Sequence, residues 1–208
     1  LINWWPLNGN LIDSISGTWL SVKNSDLVTV VDSIFGKGYH FTTNASVNQS
    51  AVYELYQHNI PPETFSISFW IKWTHIVIGV DIDNSCNAYF TVSNGTSSVG
   101  TAGPAHTLSK GIWYNIICTY DHGSMKMYVN GQPATKKDSY TTTITPMLEG
   151  DTTLSIGGNS TETGECTMCD VRVYSHVLSA HEIRDISSGL LVHYNFNDSD
   201  IETTTNYN

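Results

Sequence analysis

The chain has 208 residues, with 9 Lys plus Arg against 19 Asp plus Glu, a formal charge of −10 at pH 7. Such a surface repels a phosphate backbone, and no apolar stretch approaches membrane-spanning length, so neither nucleic acid nor a bilayer is an expected partner. Hydrophobic residues make up 40% and charged residues only 13%, with six Trp, eleven Tyr and six Phe, a composition that excludes disorder and suits one large all-β domain. No signal peptide is visible, and because the chain opens on Leu1 rather than Met, an upstream part is expected.

Turn signals recur at strand-like intervals, beginning with Asn8-Gly9, Ser16-Gly17 and Gly36-Gly38. "TFSISFWIKW" then alternates, with Phe65, Ile67, Phe69, Ile71 and Trp73 on one side and Ser66, Ser68, Trp70 and Lys72 on the other. Trp70 could face either the core or the open side. "WYNIICTY" is rich in aromatic and β-branched residues that suit a half-buried pleated surface. Asp121-His122-Gly123-Ser124 supplies a turn, and "MKMYVNG" places Met125, Met127 and Val129 on one face before Asn130-Gly131, the dipeptide of a type I′ hairpin turn. "TTLSIGG" and "CDVRVY" repeat the alternation, with Leu154/Ile156 and Val171/Val173 inward. One short helix is predicted at "LSAHEI", where Ser179 stands three residues before Glu182 in the pattern of a capping box, and "DISSG" ends it near Gly189. Many short strands with one helix make an all-β sandwich or barrel.

These blocks, in the order "WPLNGNLIDSISG", "FGKGYHF", "FSISFWIKW", "GIWYNIICTYDHGSMKMYVNG", "LSIGG" and "CDVRVYSHVLSAHEI", resemble a laminin G-like domain of the concanavalin A-like jelly-roll superfamily. The resemblance implies a two-sheet antiparallel jelly-roll sandwich with one short helix near the C-terminus. It further implies one structural Ca2+ where the N-terminal turn meets the last long strand, with Asp170 and Asn10 or Asp13 as matching positions. The alternative is that Asp170 pairs with Arg172 while Asp13 makes an Asx turn. Cys169 stands just before Asp170, where many members of the family carry another acid.

The domain is expected to span residues 1–189. Residues 190–208 would be a C-terminal strand and polar tail, or the start of a second module, because "LLVHYNFNDS" reads against "LINWWPLNGN" without a gap. Candidate ligand-binding residues fall in "DIDNSCNAYF" and the loop after it: Asp81, Asp83, Asn84, Asn87, Tyr89 and His106, an aromatic platform with polar groups to orient sugar hydroxyls, or else ordinary surface loop. Two acids at the Asp81/Asp83 spacing share a strand face roughly 7 Å apart. They lack the Glu residues of the related glycoside hydrolases and run directly into a turn, so no catalytic residue is assigned. Cys166 and Cys169 form a C-x-x-C without a second such pair or a nearby His pair, and plain thiols are expected. Sequons at Asn44, Asn48, Asn94, Asn159 and Asn197 matter only in a eukaryotic secretory setting.

The expectation is a non-catalytic, lectin-like module that binds a glycan or a host-surface receptor. It would belong to a larger extracellular, cell-surface or phage virion (tail or head fibre) protein, with protein neighbours in the assembly. A purely structural decoration module is the alternative, and a glycoside hydrolase is third.

Overall fold

The computed structural model describes residues 1–22, 25–44, 49–50, 53–56, 63–75, 81–82, 88–93, 98–102, 108–122, 124–133, 153–156 and 165–189. Side chains are described for 1–20, 25–42, 63–72, 108–122, 124–133 and 165–189. In chain order the strands are β1 (Asn3–Trp5), β2 (Ser21–Val22), β3 (Val28–Ser33), β4 (Gly36–Phe41), β5 (Thr43–Asn44), β6 (Gln49–Ser50), β7 (Tyr53–Tyr56) and β8 (Thr64–His75). They continue as β9 (Asp81–Ile82), β10 (Ala88–Ser93), β11 (Ser98–Ala102), β12 (Trp113–Asp121), β13 (Ser124–Val129), β14 (Gln132–Pro133), β15 (Thr153–Ile156) and β16 (Glu165–Tyr174), and the helix α1 (Ala180–Ser187) comes last.

The main antiparallel sheet runs β14-β13-β12-β8-β16-β4-β3, with β1 also on β16, and shorter sheets run β15-β7-β2, β11-β10-β9 and β5-β6. This is the all-β architecture that the alternating sequence implies and the jelly-roll sandwich that the resemblance implies. One face of the main sheet is the core face. Phe65, Phe69 and Ile71 on β8 stand beside Ile116, Cys118 and Tyr120 on β12, Met127 on β13, Phe41 on β4, and Val171 and Val173 on β16. Phe65 and Tyr120, directly opposite one another, stack with centroids 5.2 Å apart. Met125, Ile67 and Val129 are partly buried against the same cluster, as their alternation requires, whereas Trp73, Leu154 and Ile156 have side chains outside the described set.

The opposite face carries a second, smaller cluster. Ile117 and Tyr174 lie under Leu178, Ile183 and Ile186 of the C-terminal helical segment, with Tyr128 against them. The helix begins with the capping box read from the sequence: the Glu182 amide donates to Ser179 Oγ at 3.3 Å, and the Ser179 amide donates to Glu182 Oε2 at 2.8 Å. It ends with the Ser188 and Gly189 amides donating back to Arg184 and Ile186 and with Gly189 at φ +78°. Trp70 is also on this face, half-buried, with Phe35 edge-on to it at 5.6 Å. Farther along, the Lys72 ammonium lies 5.4 Å from the Trp113 ring centroid.

Strand β16 changes neighbours midway. Cys166–Met168 pair with β4, while Val171–Val173 pair with β1, and the register against β8 shifts between Cys169 and Arg172. That shift is a β-bulge, and Asp170 within it takes φ +55° while its amide donates to the Pro6 carbonyl at 3.1 Å. The bulge re-aims the strand at the point where it receives the N-terminal strand.

Candidate ligand and metal sites

The bulge brings together two of the three residues read as metal ligands. Asp13 is fully buried in the hairpin after β1. Its Oδ1 accepts from the amides of Trp4 (2.8 Å) and Ile15 (3.0 Å), and its Oδ2 accepts from Asn3 Nδ2 (2.6 Å) and the Ser16 hydroxyl (2.6 Å). Burial alone would raise its pKa, but the Ser16 hydroxyl, the Trp4 and Ile15 amides and the Asn3 amide together hold the carboxyl below its ordinary value of 3.8. Asp170, also buried, accepts at Oδ1 from the Trp4 indole Nε1 (2.8 Å) and from Arg172 Nε (2.9 Å). The Arg172 guanidinium carbon lies 5.5 Å from the Trp4 ring centroid. Burial works against the charge of Arg172, yet the Asp170 carboxylate and the Tyr174 hydroxyl outweigh it and push the guanidinium pKa up. Trp4 therefore bridges the two carboxylates, through its backbone amide to one and its indole to the other.

Ca2+ needs six to eight oxygen ligands, and most of the side-chain oxygens gathered here already accept protein hydrogen bonds. Each Asp13 oxygen already accepts two protein hydrogen bonds, and the Arg172 guanidinium stands 2.9 Å from Asp170 Oδ1. Asn3 Oδ1 is a buried oxygen without a hydrogen-bond partner, one acceptor where several are needed. Asn10, the third candidate, is exposed and uses its Oδ1 to accept from the Ile12 amide at 3.1 Å. Among the described residues no group of three or more His, Cys, Asp or Glu could hold a metal ion. Both contacts of the alternative reading are present, an Asx turn at Asp13 and an ion pair between Asp170 and Arg172.

Of the sugar-site candidates, Asp81 lies in β9 and Tyr89 in β10, where the two are direct register partners, but their side chains are outside the described set. Asp83, Asn84, Asn87 and His106 lie outside the described residues altogether. The C-x-x-C is split between the two faces of β16, since Cys166 pairs opposite Trp73 and Cys169 opposite Trp70, on opposite faces of β8. Cys118, Cys166 and Cys169 are free and buried. Burial raises all three thiols, Cys166 and Cys169 to about 12, so they are inert packing groups.

Two tryptophans that the sequence did not single out matter here. Trp4 is the bridge between the two carboxylates. Trp19 is 65% exposed on the hairpin after β1, the most exposed of the large apolar side chains described. The residue type and the Gly17-Thr18-Trp19 context gave no sign of that exposure. An Asx turn at Asp13 was the available clue, because it implies a tight hairpin whose outer residues must face solvent.

A family model described as the concanavalin A-like lectin/glucanases superfamily matches residues 44–184, more than half of the chain. No curated protein matches it in sequence. Among solved structures, the binding domain of Paraclostridial Mosquitocidal Protein 1 is similar with a TM-score of 0.63 and 15% identity, covering 86% of this chain and 49% of that one. A botulinum neurotoxin type C structure, described as entering cells through interaction with two ganglioside molecules, has a TM-score of 0.61 at 16% identity and covers 92% of this chain and 51% of that one. Domain 4 of AbnA, a GH43 extracellular arabinanase from Geobacillus stearothermophilus in complex with arabinotriose, has a TM-score of 0.61 at 17% identity, covering 90% of this chain and 98% of that one. The chain thus spans about half the length of the toxin structures and nearly all of the arabinanase domain. At these identities the likeness is one of fold.

Proposed function

Because the chain belongs to the concanavalin A-like lectin/glucanases superfamily, we propose that it is a non-catalytic, lectin-like module that binds a glycan or a glycan-bearing receptor. The observation that carries this reading is the match in extent to a single domain of the arabinanase, 98% of which is covered, in a structure that contains arabinotriose. The toxin relatives point the same way, one being described as a binding domain and another as interacting with gangliosides. The fold favours the role physically: a rigid main sheet with a buried aromatic core leaves loops and hairpins free to carry ligand groups at little cost to the scaffold. Low charge and abundant Asn and Thr suit a module of an extracellular, cell-surface or virion-surface protein, with the rest of that protein as its neighbours.

The test is an immobilised panel of neutral and acidic glycans probed with the folded chain. Binding to at least one glycan, competed by the free sugar, is expected. A chain that melts cooperatively and binds no glycan would leave the structural-module reading in its place. Hydrolysis of a β-glucan that disappears with Asp81→Asn or Asp83→Asn would instead make the protein an enzyme.

A further inference from the structure

The hairpin of residues 11–20 is densely hydrogen-bonded for so short a segment. Ile12 and Trp19 form a bridge, the Asp13 amide donates to Thr18 O, the Gly17 amide to Asp13 O, and the Leu20 amide to Leu11 O. The buried Asp13 carboxylate gathers four further donors, two from within the hairpin and two from β1, and the Ser14 amide is tied to Trp4 O at 2.7 Å. All of this holds in place a surface whose large side chains are exposed: Trp19 at 65% and Ile15 at 53%.

The exposed side chains of the hairpin itself are uncharged, polar and apolar, and Glu54 of β7 is the register partner of Ser21, two residues beyond Trp19. Ile12 lies directly opposite Trp19, and the exposed Asn10 accepts from the Ile12 amide at Oδ1, which leaves its Nδ2 as a donor. Ser14, two residues beyond Ile12 and exposed, keeps its hydroxyl for solvent or a ligand. From residue 1 to 22 the only ionisable side chain is the buried, fully hydrogen-bonded Asp13. An exposed aromatic face on a hairpin whose other exposed side chains include an amide and a hydroxyl and carry no charge suits one kind of ligand chemistry: the C–H face and hydroxyls of a sugar ring.

We propose that the Trp19 hairpin is a binding platform for an uncharged sugar residue, which stacks on the indole while Asn10 and Ser14 bond its hydroxyls. The proposal rests on the lectin-like reading and assigns it a site apart from the β9–β10 region. An acidic sugar is disfavoured because the hairpin offers no cation and the chain as a whole carries −10.

The test titrates the 15N-labelled protein with arabinotriose, cellotriose, maltotriose and lactose, with 3′-sialyllactose as the charged control. The Trp19 indole N–H is followed by NMR, and the same glycan panel is probed with Trp19→Ala and Trp19→Phe. At least one neutral sugar is expected to shift the Trp19 resonance saturably. Trp19→Ala is expected to weaken that sugar about tenfold or more, Trp19→Phe to keep part of the affinity, and both variants to melt with the parent. If glycan binding survives Trp19→Ala unchanged, or only 3′-sialyllactose moves the resonance, the hairpin is not the site although the lectin reading stands. If the parent binds no sugar in either format, both fall.

Discussion

Asp170 sits where a chain of L-residues is least comfortable, at φ +55° in a bulge, and its surroundings explain why the position is held by an acid. Asp tolerates the left-handed region better than most residues, and here its carboxylate also receives Arg172 and the Trp4 indole. Removing it would leave the nearly buried guanidinium, with 11% of its side chain exposed, without its counter-charge. Breaking a buried pair in this way costs about 3–5 kcal/mol. Asp170→Ala is therefore expected to lower the melting temperature strongly, while a chelator leaves the parent melt unchanged. An ion held at a hundred times its dissociation constant would add about 2.7 kcal/mol, so a fall in melting temperature on chelation that Asp170→Ala abolishes would instead establish Ca2+ at this site. The pairing of Asp13 and Asp170 with one region of the fold was legible in the sequence through family resemblance. The part of Trp4 was not, because "NWW" does not say which indole points inward: Trp5 is fully buried, whereas Trp4 lies half-buried across the sheet's other face.

At the scale of elements, the sequence was most informative where periodicity and local chemistry agree. The hairpin of β13 and β14 turns through Asn130 at φ +48° and Gly131 at φ +76°, as the Asn-Gly dipeptide demands, and the helix starts at the residue its capping box marks. Ser179→Ala removes the side-chain half of that box. It is expected to cost about 1 kcal/mol, a fall of roughly 2–4 °C for a chain of this size, in a thermal melt monitored by circular dichroism. A larger loss would mean that the helix, through Ile183 and Ile186 over Ile117, stabilises more of the sheet than its own last turn. The bulge was written in the sequence as well, but as a change of parity rather than a motif. The core-facing residues of β16 are Cys166 and Met168 before it and Val171 and Val173 after it, so the inward positions pass from even to odd. A reading that tracks alternation within "CDVRVY" alone finds the inward valines and misses the extra residue. Strand order is not local at all: nothing between residues 64 and 75 says that β8 will lie between β12 and β16.

At the scale of the whole molecule, the resemblance of residues 190–199 to residues 1–10 gains physical content from the role of the first copy. Tyr194 stands at the position of Trp5 and Phe196 at that of Leu7, and Trp5 and Leu7 are both fully buried, Trp5 on a strand clamped to Val171. Residues 190–208 themselves lie outside the described residues, but the β16 edge that β1 holds is taken in this domain. β16 already has β8 along one side and β4 and then β1 along the other. The helix before the tail is closed by its own hydrogen bonds at Ser188 and Gly189, so its termination does not depend on the tail. We therefore expect the segment to be the opening strand of a second module, with a core-facing pattern that this domain does not need. Truncation after Gly189 should leave the stability within about 0.5 kcal/mol of the parent, the range of surface changes. The chain of residues 1–208 should also self-associate more than the truncated one in light scattering, because an apolar strand without a sheet is an exposed edge. If truncation instead lowers the melting temperature by many degrees, and Tyr194→Asp with Phe196→Asp does the same in the longer chain, the tail belongs to this sandwich. It would then lie beside β1, which has β16 as its one partner among the described strands, or on the edge of β3 or β14 at the ends of the main sheet's strand order.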